Sequence, residues 1–309
     1  MKTTKLKKYI YDKYISNTEI WNIGFVNLDI QNILEADTLN TIWMKHSYND
    51  RWFADPFILS TTPEQIILLV EEYYLPLKKG RISRLIIDRK KYRLLSCDVV
   101  LELASHLSFP AIFRIGQEIY IYPENSNIGK LLLYKYFEES NKAEMVSELI
   151  NEPLTDAIIT TFFNKFYVLS TKKPIQNKNI LNIYSSNKID GVYSMDHTFV
   201  FEDNCARNGG ELFYINDKHI RPAQDCNGKY GKGLVLQEVL FKDNKFSFKE
   251  LKRFYPTSRK WNTGMHTMNV YNGIIAIDGR RYYAPRIRYM LLKLRKVISI
   301  LRSGISDKR

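Results

Sequence analysis

Short apolar runs rich in Val, Ile, Leu, Tyr and Phe recur along the whole chain, each closed by a turn signal such as Asn-Lys, Gly-Gln or Asn-Gly. Runs of this length and composition read as strands packed in a core rather than as long amphipathic helices. Five stretches share one plan of a polar residue, a strand, a short turn and a second strand. They are DRWFADPFILSTTPEQIILLVEEYY from Asp50, SHLSFPAIFRIGQEIYIYPENS from Ser105, EPLTDAIITTFFNKFYVLSTKK from Glu152, NCARNGGELFYINDKHIRPAQDC from Asn204 and NTGMHTMNVYNGIIAIDGRR from Asn262. Aligning their first strands places Asp55, Phe109, Asp156, Gly210 and His266 at equivalent positions, at intervals of 54, 47, 54 and 56 residues.

A period of about 50 residues, with room for roughly four strands in each unit, is the pattern of a β-propeller. GRISRLIIDR (80 to 89), KLLLYKYF (130 to 137), NILNIYSS (179 to 186) and GLVLQEVLF (233 to 241) supply outer strands. The chain is therefore expected to be all-β, a five-bladed propeller over residues 19 to 283. EIWNIGFVNL (19 to 28) would complete the last blade and close the ring without a free edge. A twisted β-sandwich is the alternative that the same pattern allows.

Two segments fall outside the repeat: a basic stretch, 1 to 18, and a tail, 284 to 309. In the tail Ile287, Met290, Leu291, Leu294, Val297, Ile298 and Leu301 recur at helical spacing, with Arg288, Lys293, Arg295, Lys296 and Arg302 on much of the remaining surface. This predicts a basic amphipathic helix. Such a helix can lie on an anionic membrane through those five cations, or it can pack its apolar stripe on protein.

Composition changes the picture in three ways. An apolar share of 45% in 309 residues excludes a disordered chain, and 21 Tyr with 16 Phe favour strands. Of the net charge of +13, about +9 lies in residues 280 to 309, where ten Lys and Arg face one acid. No helix-turn-helix, zinc finger or aromatic RNA-binding motif accompanies that charge, so a nucleic-acid partner is not expected. The N-terminus does not read as a signal peptide, no apolar run is long enough to span a bilayer, and Cys97, Cys205 and Cys226 lack paired or metal-type spacing. A cytoplasmic protein, peripheral on the inner face of the cell membrane, is expected.

Candidate chemistry follows from the repeat. In a propeller the first strands converge on one channel, so residues distant in sequence share a pocket. Asp55, Asp156, Arg207, Glu211 and His266 lie on or beside first strands; Glu71, Glu72, Glu124, Arg221, Gln224, Asp225, Asp278 and Arg280 lie at or just after the ends of second strands. Separated carboxylates suit glycosidic chemistry, one as base or nucleophile and another as acid. Arg207 and Arg221 offer planar forks for phosphate or carboxylate, and Gln224 and Asp225 can bond sugar hydroxyls. Glu72, Tyr230 and Arg280 complete the expected substrate contacts. Asp55 carries a competing structural role, accepting backbone N–H bonds where a blade turns. No metal site is readable and no cofactor is evident, although an Asp-rich channel could admit Mg²⁺ or Ca²⁺. Walker, G-x-G-x-x-G, G-x-S-x-G and HExxH motifs are absent.

WFADPF (52 to 57), FPAIFRIGQEIYIYPEN (109 to 125), LTDAII (154 to 159), RNGGELFYINDKHIRPAQDCNGKYG (207 to 231) and GMHTMNVYNGIIAIDGRR (264 to 281) together resemble the propeller domain that precedes the transferase domain of plant glucosamine inositolphosphorylceramide transferases. Similar propellers occur in bacterial proteins of surface-polysaccharide loci. The A-D-P-F strand is also similar, more distantly, to the first blade of the arabinanase and β-xylosidase glycoside hydrolases. That resemblance implies Asp55 as general base, Asp156 as the Asp that tunes the acid, and Glu211 as the acid, in a Gly-Gly-Glu setting that departs from the hydrolase pattern. Glu124 is an alternative acid without a hydrolase counterpart.

The expected function is a glycosyltransferase of surface-polysaccharide or glycolipid biosynthesis. Its partners would be an activated sugar donor and a glycan or lipid-linked acceptor, with Arg207 and Arg221 on a donor or carrier phosphate. A glycoside hydrolase and a non-catalytic glycan-binding propeller are the alternatives.

Overall fold

The computed structural model describes residues 19–284, 287 and 290–293. The chain divides into two compact units, Trp21–Gly279 and one drawn from the chain ends, Met1–Ile20 with Arg280–Arg309. The first unit is the five-bladed propeller that the repeat predicts.

Each blade is a four-stranded antiparallel sheet. Blade I holds β3 (Arg51–Thr61), β4 (Gln65–Tyr74), β5 (Lys79–Asp88) and β6 (Arg93–Leu101). Blade II holds β7 (Ile112–Ile115), β8 (Glu118–Ile121), β9 (Leu131–Phe137) and β10 (Lys142–Ile150), and blade III holds β11 (Leu154–Phe162), β12 (Lys165–Lys172), β13 (Ile180–Ser186) and β14 (Ser194–Val200). Blade IV holds β15 (Phe213–Ile215), β16 (Lys218–Asp225), β17 (Gly233–Lys242) and β18 (Lys245–Phe254). Blade V is built from both ends of the sequence, in the order β19 (Met268–Tyr271), β20 (Ile274–Tyr282), β1 (Glu19–Val26) and β2 (Thr41–Trp43). The segment at 19 to 28 thus closes the ring as expected, which removes two sheet edges at once.

Apolar residues of neighbouring blades interlock between the sheets. Phe57 meets Phe109 edge to face, with ring centroids 4.9 Å apart, and both are fully buried. Burial of this kind contributes about 1.5–3 kcal/mol for each large side chain.

The repeat also carries a shared backbone irregularity. In blade I the pairing passes from Ala54–Glu71 to Phe57–Leu69, so Asp55 and Pro56 face the single residue Val70. Blade III repeats this, with Asp156 and Ala157 opposite Ser170 between the Thr155–Thr171 and Ile158–Leu169 pairs. Asp55, Phe109 and Asp156 all sit in the left-handed region, at φ 50°, 46° and 47°. An extra residue at a bulge turns its side chain out of the alternation of the strand. That is how a strand as apolar as RWFADPFIL carries a carboxylate to the axis. In blade IV the equivalent residue is Gly210 at φ 155°, where a Cβ would fall 1.9 Å from the Met268 carbonyl oxygen, so no side chain fits there.

Buried polar groups fasten all five blade junctions. Asp55 Oδ2 accepts from Phe109 N at 3.0 Å, Glu124 Oε2 from Asp156 N at 3.1 Å, and Asn269 Oδ1 from Glu211 N at 2.7 Å. Asn208 Nδ2 donates to the Asp156 carbonyl at 2.6 Å, and Asp278 Oδ2 accepts from Asp55 N at 3.3 Å.

In the unit of the chain ends, Arg280 Nη1 lies 3.1 Å from Glu19 Oε2. Of the expected tail helix, residues 287 and 290–293 are helical. Arg288, Arg295, Lys296 and Arg302 lie outside the described residues, and Lys293 is the one predicted membrane-contact cation within them. No described helix is long and apolar enough to cross a membrane.

Candidate functional site

The bulges of blades I and III and the opening of blade V converge on one buried cluster at the channel axis. Asp55 Oδ1 accepts from Thr267 Oγ1 at 2.7 Å and lies 3.5 Å from His266 Nε2. The other ring nitrogen of His266, Nδ1, lies 2.5 Å from Asp278 Oδ2. Asp278 is held in turn by the backbone N–H groups of His266 and Thr267, which donate to its Oδ1 at 2.9 and 3.2 Å. The imidazole stacks on Trp21 at 4.1 Å and meets the edge of Tyr230 at 5.3 Å. An Asp–His–Asp relay results, with the imidazole fixed on both faces.

Beside it stands a second group. Arg207 Nε donates to Asp156 Oδ2 at 2.6 Å, Nη1 to Asn177 Oδ1 at 2.8 Å, and Nη2 to Glu124 Oε2 at 3.5 Å, with the guanidinium over the Tyr230 ring. Gln224 Nε2 donates to the same Asp156 oxygen at 2.5 Å. Glu71 completes the cluster, with its Oε1 3.4 Å from His106 Nε2. Because Gly80 N donates to His106 Nδ1, a neutral His106 carries its proton on Nε2 and offers it to Glu71.

Burial governs the protonation of this cluster. It pushes Asp55 up to about 6, with nearby His266 pulling the other way and Asp156 and Asp278 adding to the rise. Burial takes Asp156 to about 7 against the pull of Arg207, with Glu124 pushing further up. Glu71 rises well above the carboxylate range, through burial first and then through the charges of Asp55, Glu124, Asp156 and Asp278. For His266 burial favours the neutral ring, but the carboxylates of Asp278 and Asp55 outweigh it and raise its pKa. Burial and mutual repulsion thus bias the carboxyls of the axis toward their protonated forms.

These shifts have one sign in stability. A group whose pKa is raised on folding contributes stability that is full below its unfolded pKa and lost as pH climbs through its folded value. Asp55, Asp156, Glu71 and His266 all belong to this class. The melting temperature is expected to fall by a few degrees between roughly pH 5 and 8. Scanning calorimetry across that range checks this, and a flat or rising profile would contradict it.

The cluster unites Asp55, Glu124, Asp156, Arg207, Gln224, Tyr230 and His266 of the residues expected from sequence. The others sit elsewhere. Glu211 contacts Ile112 N at 2.9 Å, and it is burial, opposed by Arg114 and that N–H, that takes its pKa to about 7. Glu72 points to the opposite face of β4 from Glu71, into Arg51, Arg81 and Ser83. Arg221 is enclosed in blade IV by Asn208, Gln237 and the Ala206 carbonyl, over the rings of Phe201 and Phe248. Asp225 faces Asn227, Arg253 and Tyr255, while Arg280 meets Glu19. Alternation along the strand separates Glu71 from Glu72 and Gln224 from Asp225, so the first of each pair reaches the axis and its neighbour does not.

Glu71 and Asp278, expected from sequence only as members of the polar set at the ends of second strands, lie at the axis as well. Asn177, Thr267 and Trp21 carried no sequence signal. One ligand atom from each of Asp55, His266 and Asp278 could surround a divalent ion, since these atoms lie within 4.8 Å of one another. That would require breaking the 2.5 Å contact between His266 and Asp278.

Residues 37–276 match the model of a protein family described as "Glucosamine inositolphosphorylceramide transferase 1, N-terminal". The chain belongs to this family. The matched segment takes in Asp55, Glu71, Glu124, Asp156, Arg207 and His266, whereas Trp21 and Asp278 fall outside it. Glucosamine inositolphosphorylceramide transferase 1 of Oryza sativa subsp. japonica is 28% identical over 201 residues, which cover 62% of this chain and 27% of the rice protein. The Arabidopsis thaliana protein of the same name is 31% identical over 155 residues, 46% of this chain and 19% of that one. The aligned part of the chain thus spans about a quarter of the length of the rice relative and about a fifth of the Arabidopsis one.

Among solved structures, an exo-β-1,3-galactanase from Phanerochaete chrysosporium superposes with a TM-score of 0.54 at 8% identity, over 71% of this chain and 58% of that one. An endo-1,4-β-xylanase from Bacteroides thetaiotaomicron gives a TM-score of 0.52 at 11% identity, over 69% and 83%. At such identity these likenesses speak for the propeller fold alone.

Proposed function

We propose that this propeller takes part in glycosyl transfer onto a glycan or glycolipid acceptor, with its chemistry at the channel axis. The observation that carries this reading is the pairing of a carboxylate backed by an Asp–His relay, Asp55, with a buried carboxyl whose pKa is raised, Glu71. Asp55 would take the proton of an acceptor hydroxyl as that oxygen bonds the anomeric carbon. Glu71 would protonate the departing oxygen as the donor bond breaks. A base with a pKa of about 6 works near neutrality without being permanently protonated.

The electrostatics refine the expectation about phosphate. Asp55, Glu71, Glu124, Asp156 and Asp278 outnumber Arg207 and His266, and Arg207 is engaged by Asp156, Asn177 and Glu124. An axis of this sign favours a sugar ring and a developing oxocarbenium ion over a diphosphate. In the same proposal the cations of residues 280 to 309 seat the protein on the anionic inner face of the cell membrane, where a lipid-linked acceptor lies.

A second reading, a sugar-binding propeller without catalysis, is favoured by the bond from Phe109 N to Asp55 Oδ2, which occupies one oxygen in a structural role. Product analysis distinguishes these. Incubation with activated sugar donors and lipid-linked acceptors is expected to give a lengthened acceptor only when both are present. Free sugar released without a donor would mean hydrolysis, and binding without any product would favour the second reading.

A further inference from the structure

A cavity of about 360 Å³ lies off the axis, against blade V and the segment that follows β18. Three aromatic rings line it. Trp43 and Trp261 stand 5.7 Å apart at 37°, and Tyr255 is 44% exposed.

The placement of Trp43 is specific. A Cβ on Gly279 would fall 2.2 Å from Trp43 Cη2, and one on Gly24 would fall 2.9 Å from Trp43 Cε3. Two glycines on adjacent strands, β20 and β1, thus let the indole lie against the sheet backbone, which no other residue type at those positions would allow. The ring is thus backed by the sheet while also lining the cavity beside Trp261. The remaining polar lining among the described residues is neutral, with Thr38, Asn40 and Thr257 exposed there, while Lys232 and Lys260 lie over the Tyr255 and Trp261 rings at 5.0 and 5.5 Å.

We propose that this cavity binds a neutral saccharide unit. A pyranose has an apolar face of C–H groups and a rim of hydroxyls. A sheet-backed indole beside a second tryptophan matches the face, and side-chain hydroxyl and amide groups match the rim. The volume suits one to two sugar rings. No charged side chain is itself part of the described lining, and Lys232 and Lys260 are placed over its rings rather than among its polar groups, which favours a neutral ligand over a phosphate. The walls adjoin the axial cluster in sequence, since Met265 precedes His266 and Ile277 and Gly279 flank Asp278.

The test reads binding, not turnover, and so does not depend on the glycosyl-transfer reading. The chain has four tryptophans, hence four indole N–H signals in a ¹⁵N–¹H spectrum. Titration of the full chain with cellobiose, lactose, maltose and β-1,3-galactobiose is expected to move the signals of Trp43 and Trp261 and to leave Trp52 unmoved. Tyr255→Ala, at an exposed ring, should weaken the binding about fivefold to tenfold. Asp55→Asn should leave it unchanged. Trp43→Ala should abolish it, and if that variant does not fold, Tyr255→Ala alone decides. No shift with any of the four sugars, unaltered affinity in Tyr255→Ala, or loss of binding in Asp55→Asn would each overturn the proposal.

Discussion

Asp55→Asn is expected to lower glycosyl transfer by about 100-fold or more, while the melting temperature at pH 7 stays within a few degrees of the parent or rises. The expectation rests on what the substitution keeps and what it removes. Asparagine has the same shape, its Oδ1 can still accept from Phe109 N or Thr267 Oγ1, and the bulge at residue 55 remains. What disappears is the ability to accept a proton, together with the charge that burial already disfavours enough to push the pKa to about 6. Paired measurements of product formation and thermal unfolding decide the matter. If turnover were retained, or if the melting temperature collapsed together with it, Asp55 would be a fastener of blades I and II rather than a base.

The second large effect concerns stability. Arg207→Met should destabilise the propeller by about 3–5 kcal/mol, because it strips the buried carboxylates of Asp156 and Glu124 of their common cation. The surviving contacts of Asp156 Oδ2 with Gln224 and of Asp156 N with Glu124 keep those oxygens in place without neutralising them. Arg207→Lys should restore only part of the loss, since an ammonium cannot span Asp156, Asn177 and Glu124 as the planar guanidinium does. Asp156→Asn combined with Arg207→Met should recover more than either single change predicts. Urea unfolding of the four proteins supplies the cycle, and an Arg207→Met variant as stable as the parent would show that Asp156 and Glu124 need no cationic partner.

Strand order and blade closure were legible because a repeat broadcasts them. The recurrence of Asp55, Phe109, Asp156, Gly210 and His266 at similar intervals marks each inner strand, and EIWNIGFVNL, apolar and unpaired nearby, had to find an edge elsewhere. The candidate site was legible only at those marked positions. Asp55, Asp156, Arg207 and His266 meet at the axis, together with Glu124, Gln224 and Tyr230. Glu72, Arg221 and Asp225 are one residue out of phase with residues that reach it, or face outward within their own blade. A shift of one position on a strand exchanges the axis for the interior of a blade, and turn length sets that phase.

Chain chemistry alone established that this protein would bury apolar strands in five similar sheets and that the positive charge would collect at residues 280 to 309. These are local properties, fixed by side-chain type and by period. Which carboxyls are pushed up in pKa is settled only in three dimensions, because a pKa depends on burial and on charges brought close from other blades: Asp278 and His266 meet Asp55 across more than 200 residues of chain. The tertiary structure also decided that Trp43 would lie on Gly24 and Gly279, since that surface forms only when β1 from one end of the sequence pairs with β20 from the other.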